Sequence, residues 1–278
     1  MPPEANHRND CAARIDARFL LRGLGVLGLF LVIVGPSLML GQSGSALRLG
    51  PRDTAQIVAQ LVRNTRSRSA LLKHFDGCRR YSLDYTGFPS GKSAEMVVNV
   101  RFDAPAQKQF RIVREDGSRI LINRVLKELL ANEQEALDEQ NRNRTALTPE
   151  NYEFQFAGVD VVDGRPQYVL EVAPRSKNKF LYRGKIWVDA TDFAVSRISA
   201  EPAKNPSFWI SHTQIEHEYG KFGDFWLPVR NVSVTKVRLG GTAKLNIDYL
   251  NYIFGMSAKT PADVDACGTA SSKLQSSE

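Results

Sequence analysis

The chain is 278 residues long and carries 37 Lys and Arg against 30 Asp and Glu, a formal net charge of +7. That excess is modest and scattered. Its densest runs, residues 63–68 and 175–185, are broken by polar and apolar residues, as on a solvated face and unlike the basic stripe of a nucleic-acid binder. HExxH, GxSxG, a Walker loop, CxxC and a GxGxxG after an early strand are all missing, so the sequence nominates neither an enzyme nor a bound cofactor.

In chain order, Arg8, Arg14, Arg18 and Arg22 precede an uncharged run over residues 23–40. A soluble helix normally keeps a polar face, so this run reads as a membrane-targeting segment with its basic side cytoplasmic and the remainder exported to the periplasm. Gly44 and Ala46 supply the small residues a signal peptidase needs, making 1–46 a signal peptide; an uncleaved anchor and a buried helix are the other readings. Cys11 precedes the run, which leaves Cys78 and Cys267 in the exported part, to pair in an oxidising compartment or to remain as two thiols.

Between residues 51 and 75, Ile57, Val58, Leu61, Val62, Leu71, Leu72 and Phe75 follow helical spacing, with Pro51 and Asp53 at the start and Gly77 at the exit. Strands are predicted over 79–88, 94–102 and 107–115; in the second, Met96, Val98, Val100 and Phe102 alternate onto one face. Over 119–140 the period changes to that of a single helix striped with Ile122, Val125, Leu126, Leu129, Leu130 and Leu137. Strands return over 152–161, 167–173, 184–188, 194–200, 210–219, 225–238 and 244–254, joined by short turns that restrict them to antiparallel neighbours. The expected fold is mainly β with α: a strongly curled antiparallel sheet, an unclosed β-barrel of about ten or eleven strands, covered by helices over residues 47–257. The polar stretch 258–278 is expected to be a flexible tail.

Beyond the targeting region the histidines are His74, His212 and His217. On a strand over 210–219, His212 and His217 point to opposite faces, and Glu216 and Glu218 share the His212 face as ordinary solvent-facing alternation does, so no metal site is nominated. The aromatics are more distinctive: Phe208, Trp209, Phe225 and Trp226 flank a strand pair. Each tryptophan alone reads as core packing, but together they suit a lipid-sized cavity. The candidate lining is Val98, Val100 and Phe102 on the sheet, Leu126, Leu129 and Leu130 on a covering helix, and Trp187, Phe208, Trp209 and Trp226.

The helix before the first strand, YSLDYTG at 81–87, the helix over 119–140 and YRGKIWVDATDFAVSRI at 182–198 together resemble the LolA/LolB-like superfamily of periplasmic lipoprotein-sorting proteins. NPSFW at 205–209 and FWLP at 225–228 look like an uncharacterised branch of outer-membrane lipoprotein-sorting-like proteins. The resemblance, over about residues 50–255, implies an unclosed barrel that holds acyl chains of a lipid or acylated lipoprotein; a membrane protein of the envelope is a further expected partner. It matches no residue to the family's lid-contacting arginine. The competing expectations are a non-enzymatic interaction domain whose sheet is filled by side chains, and an envelope enzyme, for which no polar cluster is nominated.

Overall fold

The computed structural model describes residues 53–204, 210–238, 240–255 and 266–268. The expectations for 1–46, for Phe208 and Trp209 and for most of the C-terminal tail lie outside these residues. No helix among the described residues is long and apolar enough to cross a membrane.

Helix α1 spans Thr54–Leu71, capped by Asp53, whose side chain accepts from the Ala55 N–H; Ile57, Val58 and Leu61 form its buried side. One helix, or two in succession, was expected to reach Phe75. Instead Leu72 turns to extended backbone and strand β1 (His74–Gly87) begins five residues before its predicted start. Cross-strand partners outweigh helical spacing here: both ring nitrogens of His74 meet carboxylates, Asp103 at 2.8 Å and Asp76 at 3.0 Å, and Phe75 stacks on its β2 partner Phe102 at 5.3 Å.

The remaining strands are β2 (Lys92–Asp103), β3 (Gln107–Gly117), β4 (Tyr152–Val162), β5 (Arg165–Pro174), β6 (Tyr182–Asp189), β7 (Val195–Pro202), β8 (Ile210–Phe222), β9 (Phe225–Val237) and β10 (Gly241–Phe254). They form one ten-stranded antiparallel sheet in the order β3-β2-β1-β10-β9-β8-β7-β6-β5-β4. Pairing of β1 with β10 puts both ends of the chain's strand series in the middle of the sheet and leaves β3 and β4 as its two edges, so the barrel is unclosed. The register of β1 against β10 shifts at Cys78/Arg79, where Cys78 faces Asn251 but Arg79 faces Tyr249. The extra residue on β10 bends the strand and lets Tyr249 and Tyr252, three apart, share the concave face.

After β3, Gly117 takes φ +85°, a conformation that L side chains rarely adopt, and turns the chain into α2 (Arg119–Leu121), a π-helical turn (Ile122–Leu126) and α3 (Lys127–Ala136). The buried pairs Leu121–Ile122, Val125–Leu126 and Leu129–Leu130 recur every four residues. In a regular α-helix such positions drift round the axis by about 40° per step, and the wider π turn offsets that drift. The predicted single helix to residue 140 is interrupted at Leu137, because the Asp138 side chain accepts from the Gln140 N–H and caps a separate helix, α4 (Glu139–Thr145).

Two hydrophobic packs result. One sets Leu126, Leu129 and Leu130 on Tyr81, Met96, Val98 and Leu245. The other sets α1 on β4 to β7 through Ile57, Leu61, Tyr168, Leu170 and Ile186. On the opposite face of the sheet, Cys78 and Cys267 form a disulfide across 189 residues; Asn99 accepts from the Cys267 N–H and Asn251 donates to the Ala266 carbonyl.

Candidate functional site

Between the two packs the concave face is not filled. A cavity of about 850 Å³ lies there, within the range of roughly 300–1,000 Å³ typical of small-molecule sites. Strand alternation sends Ile215, His217 and Tyr219 of β8 inward, β1 and β2 supply Phe75 and Phe102, and β7 supplies Val195 and Ile198. Leu61 and Val62 of α1 and Leu147 cover them. Arg66, Ser69 and Lys73 on one side and Asn143 and Glu150 on the other line the cavity and are exposed, so it opens to solvent between α1 and the α4 region.

One part of this wall is ionic. Arg79 Nη1 donates to Glu133 Oε2 at 2.8 Å and Oε1 at 3.1 Å, and Lys108 Nζ donates to Glu133 Oε1 at 2.5 Å. The side chains are 5% (Arg79), 1% (Lys108) and 12% (Glu133) exposed. Burial alone would raise the Glu133 carboxyl, but Arg79 and Lys108 reverse this and hold it at about 2. Burial pulls the Lys108 ammonium down to about 8 against the opposing pull of Glu133. The Arg79 guanidinium also lies 4.7 Å over the Tyr249 ring, whose hydroxyl accepts from Asn231 Nδ2. Burial pushes His217 to about 3, so its imidazole is neutral. The Tyr182 hydroxyl, Asn231 Oδ1 and Arg142 Nε are buried without hydrogen-bond partners among the described residues. The cavity is therefore an apolar chamber with a charged pole and several unsatisfied polar atoms.

Of the residues singled out from sequence, Phe102 lines this chamber. Val98, Val100, Leu126, Leu129 and Leu130 lie in the filled pack beside it, with Leu129 also touching a cleft of about 20 Å³ next to Glu133 and His217. Trp187 donates to Asp160 and packs under Arg197, while its strand neighbours Ile186 and Val188 are buried on the other face. Trp226 is buried against Ala194 and Tyr219 and donates to Asp192 at 2.9 Å. His212 and His217 do point to opposite faces: His212 approaches Glu201 and Glu216 pairs with Arg197, away from the cavity.

The ionic residues were missed, although the sequence held a signal for them. Arg79 falls on the alternation of Tyr81 and Leu83, and Glu133 stands four after Leu129 and three after Leu130, each a charge on an otherwise apolar face.

An unclosed antiparallel half-barrel covered by helices, with a chamber between sheet and helices, is the class of fold observed. Solved structures similar to it include an outer-membrane lipoprotein-sorting protein domain from Vibrio parahaemolyticus, described as putative, at 10% identity, 78% of this chain, 100% of that chain and a TM-score of 0.38. A DUF1329 family protein from Desulfovibrio piger is similar at 11% identity, 77% and 98% coverage and a TM-score of 0.37. A LolA superfamily protein from Nitrosomonas europaea is similar at 10% identity, 75% and 96% coverage and a TM-score of 0.32. No family model matches the sequence, and no curated protein matches it.

Proposed function

We propose that the protein is a carrier or sensor of the cell envelope that holds the acyl chain of a lipid or a lipidated protein in its covered chamber, with a role in outer-membrane lipoprotein sorting. The observation that carries this reading is the cavity of about 850 Å³ under α1, walled by Phe75, Phe102, Ile198, Ile215 and Leu227. Each CH₂ moved from water into such a chamber gains about 0.8 kcal/mol, so a chain of ten or more carbons is held without any covalent chemistry. In this reading residues 1–46 deliver the chain to the periplasm, as a signal peptide or as an anchor, and residues 47–257 form the working domain. The tail 258–278 is held at Cys267 by the disulfide to Cys78. Native mass spectrometry with organic extraction, on protein purified from a bacterial envelope, should find an acyl-containing species. Ligand-free protein that also ignores added lipids would remove the proposal.

A second reading, a protein-interaction domain, draws on the free edge of the sheet. On β4, Phe156, Val159 and Val161 are 36%, 50% and 65% exposed, and an edge strand of this kind, paired on one side only, is a template for a partner's strand. An envelope membrane protein bound along β4, with the chamber empty throughout, is the outcome this reading requires.

A further inference from the structure

An acyl chain alone does not need the charged pole of the cavity. Arg79 and Lys108 bring two positive charges to the wall and Glu133 returns one negative charge. Among the described residues, Glu133 is the one carboxylate that either cation touches. The cluster thus holds a net positive charge where solvent barely reaches, and a buried charge is costly unless something compensates it.

Donors are left over as well. The side-chain hydrogen bonds of Arg79 within the described residues all run through Nη1, to Glu133 and to the Tyr81 hydroxyl at 3.3 Å, which leaves Nε and Nη2 without an acceptor there. Lys108 uses one of its three N–H groups, on Glu133. His217 lines the same chamber, neutral and 6% exposed, and neighbouring Asn231 keeps Oδ1 unpartnered. Apolar walls on one side and a net-positive, donor-rich pole on the other are complementary to a molecule with both characters.

We propose that Arg79 and Lys108, held in place by Glu133, receive the carboxylate or phosphate head group of a long-chain anionic amphiphile whose chain lies against Phe102, Ile198 and Ile215. This assignment rests on the acyl-carrier reading above and adds the head group to it. Charge-assisted bonds to a planar guanidinium and an ammonium give such an anion both energy and orientation.

The test is calorimetric titration of the delipidated full-length protein with laurate, dodecyl phosphate and dodecanol, and with inorganic phosphate as the head group alone. Laurate and dodecyl phosphate should bind tighter than dodecanol by about tenfold or more. Lys108→Gln should cut the ratio of anion to dodecanol affinity several-fold, and Glu133→Gln, which leaves both cations unopposed, should raise that ratio. A merely structural cluster would weaken all chains alike in both variants. If Glu133→Gln does not fold, Lys108→Gln decides alone, since it removes a cation whose burial is itself unfavourable. Equal affinity of laurate and dodecanol, or an anion preference intact in Lys108→Gln, overturns the head-group assignment and leaves the acyl carrier standing. Inorganic phosphate binding as tightly as dodecyl phosphate overturns it in favour of a free-anion site. Absence of binding by all three chains overturns both.

Discussion

Removing the carboxylate of Glu133 has a stability consequence with a defined pH dependence. Its folded-state value of about 2, against an ordinary 4.5, corresponds to a contribution on the order of 3 kcal/mol. Because the folded carboxyl is the stronger acid, the unfolded chain binds more protons between those values. The contribution is therefore fully present above about pH 4.5 and is lost as pH falls toward 2. Glu133→Gln also leaves Arg79 and Lys108 facing each other in a buried place, a loss of the same order, about 3–5 kcal/mol. Urea unfolding followed by circular dichroism, for wild type and variant at pH 7, 4.5, 3 and 2, reads this directly. A gap of about 3 kcal/mol at pH 7 that shrinks below pH 4.5 and closes near pH 2 is expected. A gap below about 1 kcal/mol at pH 7, or one that does not change with pH, refutes the reasoning.

Lys108 works in the opposite sense. Its folded-state value of about 8 lies below the ordinary 10.5, so holding it charged at neutral pH costs about 3 kcal/mol, and that cost is relieved as pH rises from about 8 to 10.5.

Leu126, fully buried between helix and sheet, should cost about 2–5 kcal/mol as Leu126→Ala in denaturant titrations, with the m-value unchanged. Gly117→Ala forces an L side chain to φ +85° and sets its Cβ 2.5 Å from the Ser93 carbonyl oxygen; a loss of about 1–3 kcal/mol is expected from the same titration. The Cys78→Ser/Cys267→Ser protein should lose about 2–5 kcal/mol and no longer respond to reductant, whereas the wild type falls to the same stability when reduced. Ile215→Trp, aimed into the chamber, should cut recovered acyl ligand several-fold at near-normal circular dichroism, measured by extraction and mass spectrometry.

Much of the sheet could be read from period-two patterns and turn residues, and each of the predicted strands is present. The first strand's early start was hidden because His74, Phe75 and Asp76 owe their extended form to partners on β2 that are distant in sequence. The break before α4 follows from one capping aspartate, Asp138, inside a sequence whose spacing alone favours continuation. The cavity was harder to place. Its lining depends on a bulge at the β1–β10 pairing and on the gap between two packed clusters, neither of which leaves a local trace. Tryptophan size also misled: the indole N–H groups of Trp187 and Trp226 take acidic partners, Asp160 and Asp192, away from the chamber.

Photo-crosslinking tests most directly whether the chamber between sheet and helices is where an acyl chain resides. A fatty acid carrying a diazirine on its chain is irradiated with the full-length protein and the labelled peptides are mapped. Labels on the inward residues of β2, β8 and β10, around Phe102, Ile215 and Tyr252, are the predicted result. Labels spread over the opposite face, around Trp187 and Val97, with those inward residues unmodified, would contradict the account.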